Sequence, residues 1–197
     1  MVQVDRGEHL RSGEWLDLNR AYWEAQDAEG PGERAGEPLA PGSRLLHLQC
    51  GGGERTLALA GPDVQVIGVD FSMQAVRRAR ARAIERGLTD RSRFLCANVY
   101  DLRHMLPEPD SFDRVLTSRS ALTWLPDLEE WARIVEWFLA PLGSLRVDPD
   151  AGRPVVDADV RRWSPSAEDV IEALRATGLT VADPGDGSVG ITASKTP

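Results

Sequence analysis

The residues that best support ligand binding in this sequence are a run of three glycines and an aspartate that follows at a fixed spacing. The glycines at 51–53 directly follow the apolar run LLHLQC, and Asp70 ends the next apolar run, VQVIGVD. Glycines after a strand let the backbone approach a ligand closely and leave the N–H groups of the following helix free to face it. A carboxylate at the neighbouring strand end can accept both hydroxyls of a ribose. The combination predicts a nucleoside site, and a tight turn with a helix cap is the structural alternative.

The glycine run departs from the patterns that bind a pyrophosphate. A dinucleotide fingerprint needs G-x-G-x-x-G or A, but Thr56 fills the last small position, and no Walker-type lysine follows. The turn therefore suits an adenosine ligand that carries no pyrophosphate. A nicotinamide dehydrogenase is the alternative class of enzyme. Thr56 and a hairpin signal near the end of the sequence both argue against it.

Alternating strands and helices must position these residues. Apolar and β-branched runs predict strands at 45–50, 64–70, 93–98, 112–118, 143–148, 179–183 and 188–194. Amphipathic runs predict helices at 12–27, 54–61, 72–87, 125–140 and 164–178. This alternation implies an α/β fold with helices on both faces of a mostly parallel seven-stranded sheet, which ends in an antiparallel hairpin.

Local signals place the ends of several helices. Ser72 and Ser164 are the expected N-caps of the helices at 72–87 and 164–178, and Pro126 is expected in the first turn of the helix at 125–140. The inner face of the helix at 72–87 is expected to consist of Val76, Ala79, Ala83 and Ile84.

Two parts divide the chain. Residues 1–43 combine an amphipathic helix, which carries Trp15, Tyr22 and Trp23, with a linker rich in Gly, Pro and Glu. Residues 44–197 hold the ligand-binding domain. We expect the helix to act as a lid or cap over the site, with simple docking on the sheet edge as the alternative.

Four ordered segments resemble one family. LLHLQCGGGERTLALA, VIGVDFSMQAVRRARARA, FLCANVYDL and FDRVLTSRSALTWLPDLEEWARIVEWFLAPLGSL are similar to class I S-adenosylmethionine-dependent methyltransferases, most of all to a bacterial subgroup with an LHLQC motif. The resemblance implies the Rossmann-like class I methyltransferase fold, S-adenosyl-L-methionine as cofactor and a small-molecule substrate, as in secondary metabolism.

The resemblance also implies a set of cofactor-binding residues. Matched by position, they are Gln49, Cys50 (through its backbone), Gly51, Gly53, Asp70, Phe71, Asn98, Val99 and Ser118. Relatives usually carry aspartate where this chain has Asn98. The amide oxygen can still accept from the adenine amine, but as a neutral acceptor. Asn98→Asp is therefore expected to keep or tighten cofactor binding. His47 replaces the acidic residue of many relatives and is expected to be a buried strand residue.

Catalytic residues are harder to assign because methyl transfer needs a general base only when the acceptor must lose a proton. Asp148 and Arg119, at strand ends, are the candidates, and Trp124 is the tryptophan expected near a substrate. Only 15 residues separate Asp148 from Ser164 (PDAGRPVVDADVRRW). So short a segment offers little wall for an acceptor pocket, which the N-terminal helix, a second copy in a homodimer or a large substrate would have to complete.

Composition narrows the remaining classes. The net charge is −8, which disfavours nucleic acid, and the arginines of 77–86 are expected to form a solvated helix face. No run approaches the length of a membrane span, no metal-ligand cluster is evident, and Cys50 and Cys96 fit a reducing, cytoplasmic setting. A cofactor-binding protein that promotes rearrangement or elimination without methylating, or an inactive scaffold, stays open as the alternative function.

Overall fold

The computed structural model describes residues 10–25, 38–149, 160–182 and 190–197. The helices in this part of the chain are α1 (Glu14–Ala25), α2 (Glu54–Ala58), α3 (Met73–Glu85), α4 (Leu102–Met105), α5 (Arg119–Leu122), α6 (Leu128–Phe138) and α7 (Ala167–Ala176). The strands are β1 (Arg44–Leu48), β2 (Gln65–Asp70), β3 (Ser92–Cys96), β4 (Phe112–Ser118), β5 (Leu139–Asp148), β6 (Thr180–Val181) and β7 (Ile191–Ser194).

The strands form a single seven-stranded sheet of order β3-β2-β1-β4-β5-β7-β6. Strands β1 to β5 pair in parallel, and β7 runs antiparallel to both β5 and β6. The predicted mostly parallel sheet with a terminal antiparallel strand is therefore confirmed. Winding reverses between β1 and β4, so the carboxyl edge there is the place where open α/β sheets bind ligands.

The core lies on both faces of the central strands. Leu45, Leu46 and Leu48 of β1 are fully buried, as expected for a parallel strand covered on both sides. On α3 the side chains of Val76, Ala79 and Ala83 are buried, but Ile84 is 69% exposed. The expectation for Ile84 was wrong because successive helical residues differ by about 100° around the axis, which turns Ile84 away from the stripe ending at Ala83.

The predicted N-cap is correct for α3 and wrong for α7. Ser72 caps α3 through Ala75 N, as predicted. The cap of α7 is Ser166, not Ser164, because Asp169 lies three residues after Ser166 and closes a capping box.

The predicted helix at 125–140 is also shorter than expected. Asp127 accepts from Glu130 N and caps α6, so Pro126 precedes the helix. Of the linker at 28–43 only residues 38–43 are described, and the segment 150–159 and the PGDG turn lie outside the described residues. None of the described helices is long and apolar enough to cross a membrane.

Candidate functional site

The glycine turn lies at the carboxyl end of β1 and needs glycine for two reasons. Gln49, Gly51 and Gly53 all have positive φ, at 55°, 54° and 75°. A Cβ on Gly53 would also lie 2.7 Å from Ala79 Cβ and 2.8 Å from the Phe94 ring. The turn therefore packs directly on α3 and β3, and a side chain at Gly53 would not fit there.

Asp70 ties this turn to the end of β2. Its Oδ2 accepts from Gly51 N at 2.9 Å, and its Oδ1 accepts from Ser72 N at 2.9 Å. The side chain is buried, and burial raises the pKa of Asp70 above its ordinary value although the two backbone hydrogen bonds act in the opposite direction. Two amide donors thus compensate the buried carboxylate incompletely.

Gln49 faces the same region from the end of β1. Its Nε2 donates to Ala121 O at 2.8 Å, which orients the amide toward α5. Its Oε1 is buried and accepts no hydrogen bond from the described residues. A buried acceptor without a donor is costly, so this oxygen is suited to receive one from a ligand.

A cavity of about 390 Å³ opens beside the end of β3. Phe71, Cys96, Ala97 and Asn98 line it on the sheet side, and α1 forms the opposite wall. Val99 follows directly and is buried at the start of a short turn of 3₁₀ helix. Phe71 and Asn98, two of the residues expected around adenine, thus line this cavity, while Val99 lines the narrower space beside it.

Asn98 has a contact that the sequence did not predict. Its Nδ2 donates to Leu10 O at 2.8 Å, and its Oδ1 accepts from Tyr100 N at 3.2 Å. An aspartate could make only the second of these bonds. Asparagine at this position therefore anchors the segment before α1 as well as lining the cavity.

The space next to Gln49 and Asp70 is nearly filled by α1. Only about 20 Å³ remains between these residues and the side chains of Trp15, Leu16 and Trp124. That volume holds a single water molecule. Helix α1 therefore lies directly over the carboxyl edge of β1 and β2.

A buried asparagine fastens α1 to the chain after the undescribed segment 150–159. Asn19, 1% exposed, donates through Nδ2 to Arg161 O at 2.8 Å and accepts at Oδ1 from Arg161 N at 2.9 Å. Trp15 packs edge-on against Trp163 and Tyr100, with centroid distances of 5.8 Å and 6.4 Å. Helix α1 and residues 160–163 thus form one continuous wall.

Three aromatic side chains, which we call the aromatic cluster, contact one another beside this wall: Tyr22, Trp23 and Trp124. The Tyr22 and Trp124 rings lie 5.6 Å apart and 21° from parallel, and Trp23 meets Trp124 edge-on at 5.3 Å. The guanidinium carbon of Arg162 lies 5.5 Å from the centre of the Trp124 ring. The residues expected at the substrate and lid region are therefore neighbours in the structure.

The two catalytic candidates occupy different settings. Asp148, at the end of β5, is buried and forms ion pairs with Arg55 and, at 2.6 Å, with Arg146. Arg119 begins α5 and makes no ion pair with the described residues. Between them, Ser118 Oγ caps α5 by accepting from Ala121 N at 3.3 Å. A carboxylate held by two guanidinium groups is poorly placed to accept a proton.

His47 is buried in β1 and hydrogen-bonds through Nδ1 to Thr56 Oγ1 at 2.8 Å. Burial, helped by the charge of Arg55, lowers the pKa of His47 to about 3. The imidazole is therefore neutral and structural, as the sequence suggested. Cys50 is likewise buried, and burial raises the pKa of its thiol well above the ordinary value.

Two of the α3 arginines turn inward rather than toward solvent alone. Arg80 donates to Phe94 O at 2.7 Å, and Arg82 donates to Gly52 O at 2.9 Å. Arg82 also lies 3.5 Å from Glu54. These two side chains brace β3 and the glycine turn, so the expectation of a purely solvated arginine face was incomplete.

Asn19, Arg55 and Arg162 were not found from the sequence. Asn19 had a signal, because it lies four residues after Trp15 and so falls on the apolar stripe of a helix, where a polar residue needs a partner. Arg55 follows the glycine turn without a local pattern. Arg162 lies beside Trp124 only in the folded chain. Among the described residues, no His, Cys, Asp and Glu side chains gather as a metal site.

Comparison with known proteins adds to this geometry. A family described as "Methyltransferase domain" matches residues 45–143, which is half of the chain. The chain is 33% identical over 140 residues to the 27-O-demethylrifamycin SV methyltransferase of Amycolatopsis mediterranei (strain S699). That match covers 71% of this chain and 50% of the relative, so the chain spans half the length of this curated protein.

Two solved structures share the fold. The cyclase SpnF is 26% identical, with a TM-score of 0.59, over 85% of this chain and 70% of SpnF. The geranyl diphosphate C-methyltransferase of Streptomyces coelicolor A3(2) is 16% identical, with a TM-score of 0.69, over 94% of this chain and 100% of that one. At this identity the second likeness concerns the fold alone.

Proposed function

Because the chain belongs to the methyltransferase domain family, we propose that it binds S-adenosyl-L-methionine and transfers the methyl group to a small molecule. The similar curated protein is a 27-O-demethylrifamycin SV methyltransferase, which favours a small-molecule acceptor. Arg80 and Arg82 donate to backbone carbonyls, which leaves fewer free cations on α3 for a nucleic acid. The unpaired Cys50 and Cys96 fit a reducing compartment, and we propose a cytoplasmic site of action.

The observation that carries the proposal is the incompletely compensated carboxylate of Asp70 at the switch point of the sheet. It joins the glycine turn to the end of β2 and holds a raised pKa despite two amide donors. Two ribose hydroxyls would add the missing donors and favour the charged form. An adenosine ligand therefore suits this carboxylate better than an empty turn does.

The other residues fit the remaining parts of the cofactor. Phe71 and Asn98 would contact adenine in the 390 Å³ cavity, with Val99 beside it in the adjoining narrow space. Gln49 Oε1, the buried acceptor, would receive the ammonium group of the methionine part. The backbone of Cys50, Gly51 and Gly53 would line the cofactor, with Ser118 beside the methionine end.

The bound cofactor supplies a methyl group already activated by a positive sulfur, so this chain's residues mainly orient the acceptor and exclude water. Trp15 and Trp124 border the narrow space beside Gln49 and would close it against solvent. We propose that residues 1–43 act as a lid through α1. The same helix would supply a wall of the acceptor site, a role that a second copy in a homodimer could otherwise fill.

Substitution of Asp70 tests the cofactor site. A charge-assisted hydrogen bond contributes about 1.5–3 kcal/mol, so losing two in Asp70→Ala should weaken binding roughly a hundredfold or more. Calorimetric titration with S-adenosylmethionine measures this, with Asp90→Ala as control because that exposed aspartate lies at the opposite end of the sheet. Affinity should also rise with pH through the raised pKa of Asp70 and level off above it. Unchanged affinity in a folded Asp70→Ala protein contradicts the assignment.

A second function is favoured by one comparison. SpnF, a cyclase, is more similar in sequence to this chain than the fold-related geranyl diphosphate methyltransferase is. A cofactor-binding enzyme that promotes a rearrangement without methylating is therefore the alternative. An assay with labelled methyl groups and a cell extract separates the two, since only a methyltransferase transfers the label to a product.

A further inference from the structure

We propose that the acceptor at this site is a planar aromatic molecule that carries an anionic group, held by the aromatic cluster with Arg162 as counter-ion. The proposal rests on the proposed function, because it concerns the acceptor side of the same site. It adds Arg162 and a chemical class to the residues named so far.

The aromatic cluster lies beside the expected methionine end of the cofactor. Trp124 N and Gln49 Nε2 both donate to the carbonyl oxygen of Ala121, at 3.1 Å and 2.8 Å. Trp124 and Gln49 also line the same narrow space under α1. A molecule that receives the methyl group next to Gln49 therefore has to approach past Trp124.

The arrangement of the rings favours a flat molecule. Tyr22 and Trp124 are 21° from parallel, while Trp23 stands 69° to Trp124 and closes a third side. Tyr22 and Trp23 are half-buried, so the cluster is accessible from solvent along α1. Trp124 is buried and stacked against Tyr22. A planar ligand that takes the place of Tyr22 on the Trp124 ring therefore gains a stacked or edge-to-face contact, whereas a saturated ring of similar size gains only its apolar contact.

The charge at the rim selects an anion. Arg162 lies over Trp124, and its Nη2 donates to Thr123 Oγ1 at 3.4 Å. Trp163 N donates to Thr123 O at 2.8 Å, which fixes the backbone next to Arg162. Arg162 forms no ion pair with the residues that the structure describes, nor does Arg119 at the same edge. A guanidinium positioned in this way matches a carboxylate or phenolate oxygen.

Binding of simple probes to the full chain loaded with S-adenosylhomocysteine tests this inference. We expect 2-naphthoate to bind at least about tenfold more tightly in calorimetry than cyclohexanecarboxylate, which is not planar, or 2-naphthylmethylammonium, which is cationic. Trp124→Leu and Arg162→Gln should each weaken naphthoate binding by about three- to tenfold. Arg161→Gln removes the same charge one position away and should leave binding unchanged.

Titration with S-adenosylhomocysteine comes first for every protein and keeps the two proposals apart. Failure of the unmodified chain to bind it refutes the proposed function. Binding of S-adenosylhomocysteine with no preference for naphthoate, or with equal losses in Arg161→Gln and Arg162→Gln, refutes the acceptor class alone. Because Arg162 is exposed, its variant tests the proposal even if Trp124→Leu fails to fold.

Discussion

Asn19 is the residue whose replacement should release α1 without disturbing the sheet. Its side chain is 1% exposed and makes both of its hydrogen bonds to the backbone of Arg161. Asn19→Ala removes both bonds and leaves the rest of the helix surface, including Trp15 and Leu16, in place.

The expected loss of docking free energy follows from the two hydrogen bonds and from the backbone groups of Arg161 that would be left without a partner. Each bond contributes about 0.5–1.5 kcal/mol net, and a buried backbone group without a partner costs about 1–3 kcal/mol. Arg161 itself is exposed, so water can reach its backbone once the helix moves, which reduces the second cost. We expect a loss of roughly 2 kcal/mol, or about thirtyfold in the ratio of docked to undocked helix.

Hydrogen exchange read by mass spectrometry measures this ratio locally. Peptides from Glu14–Ala25 should exchange about thirtyfold faster in Asn19→Ala, while peptides from β1 and β4 keep their protection. Asp17→Ala is the matched control, because Asp17 lies on the same helix with its side chain 79% exposed. Faster exchange throughout the sheet, or none in α1, would show that Asn19 does not hold the helix in the way described.

Two further predictions concern buried polar groups. His47 is neutral in the fold with a pKa of about 3 against 6.5 when unfolded, so its contribution is complete above pH 6.5 and declines as the pH falls toward 3. By about pH 4.5 the loss in the free energy of unfolding amounts to roughly 3 kcal/mol. Denaturant titrations should therefore show that the stability of the unmodified chain falls more steeply with acidification than that of His47→Asn. Asn98→Asp removes the donor to Leu10 O, so hydrogen exchange at residues 10–16 should accelerate. Calorimetry should show that S-adenosylmethionine binds as tightly as before or more tightly. Unchanged exchange would contradict the role of Asn98 as an anchor.

The sequence was sufficient to predict the sheet, whereas the cofactor-binding residues stay a prediction. Strand 112–118 was predicted with its observed bounds, and the mostly parallel pairing followed from the alternation of strands with helices. Strand positions and parallel pairing could be predicted because they depend on hydrophobic patterns between residues that are close in sequence. The pattern could not identify Asn19, because its partner Arg161 lies 142 positions away. The ion pair of Arg55 with Asp148 was missed for the same reason.

The volume under α1 bears on how the proposed lid would work. About 20 Å³ between Gln49, Asp70 and Trp15 is too small for the methionine part of a cofactor. The proposed cofactor and the docked helix therefore compete for the same space, and α1 has to shift when the ligand enters. Near the start of the helix, Leu10 O accepts a hydrogen bond from Asn98 Nδ2 on the adenine side. Near its end, Tyr22 stacks on Trp124. A shift that keeps the first contact and opens the second would admit the methionine part while exposing the aromatic cluster to an acceptor.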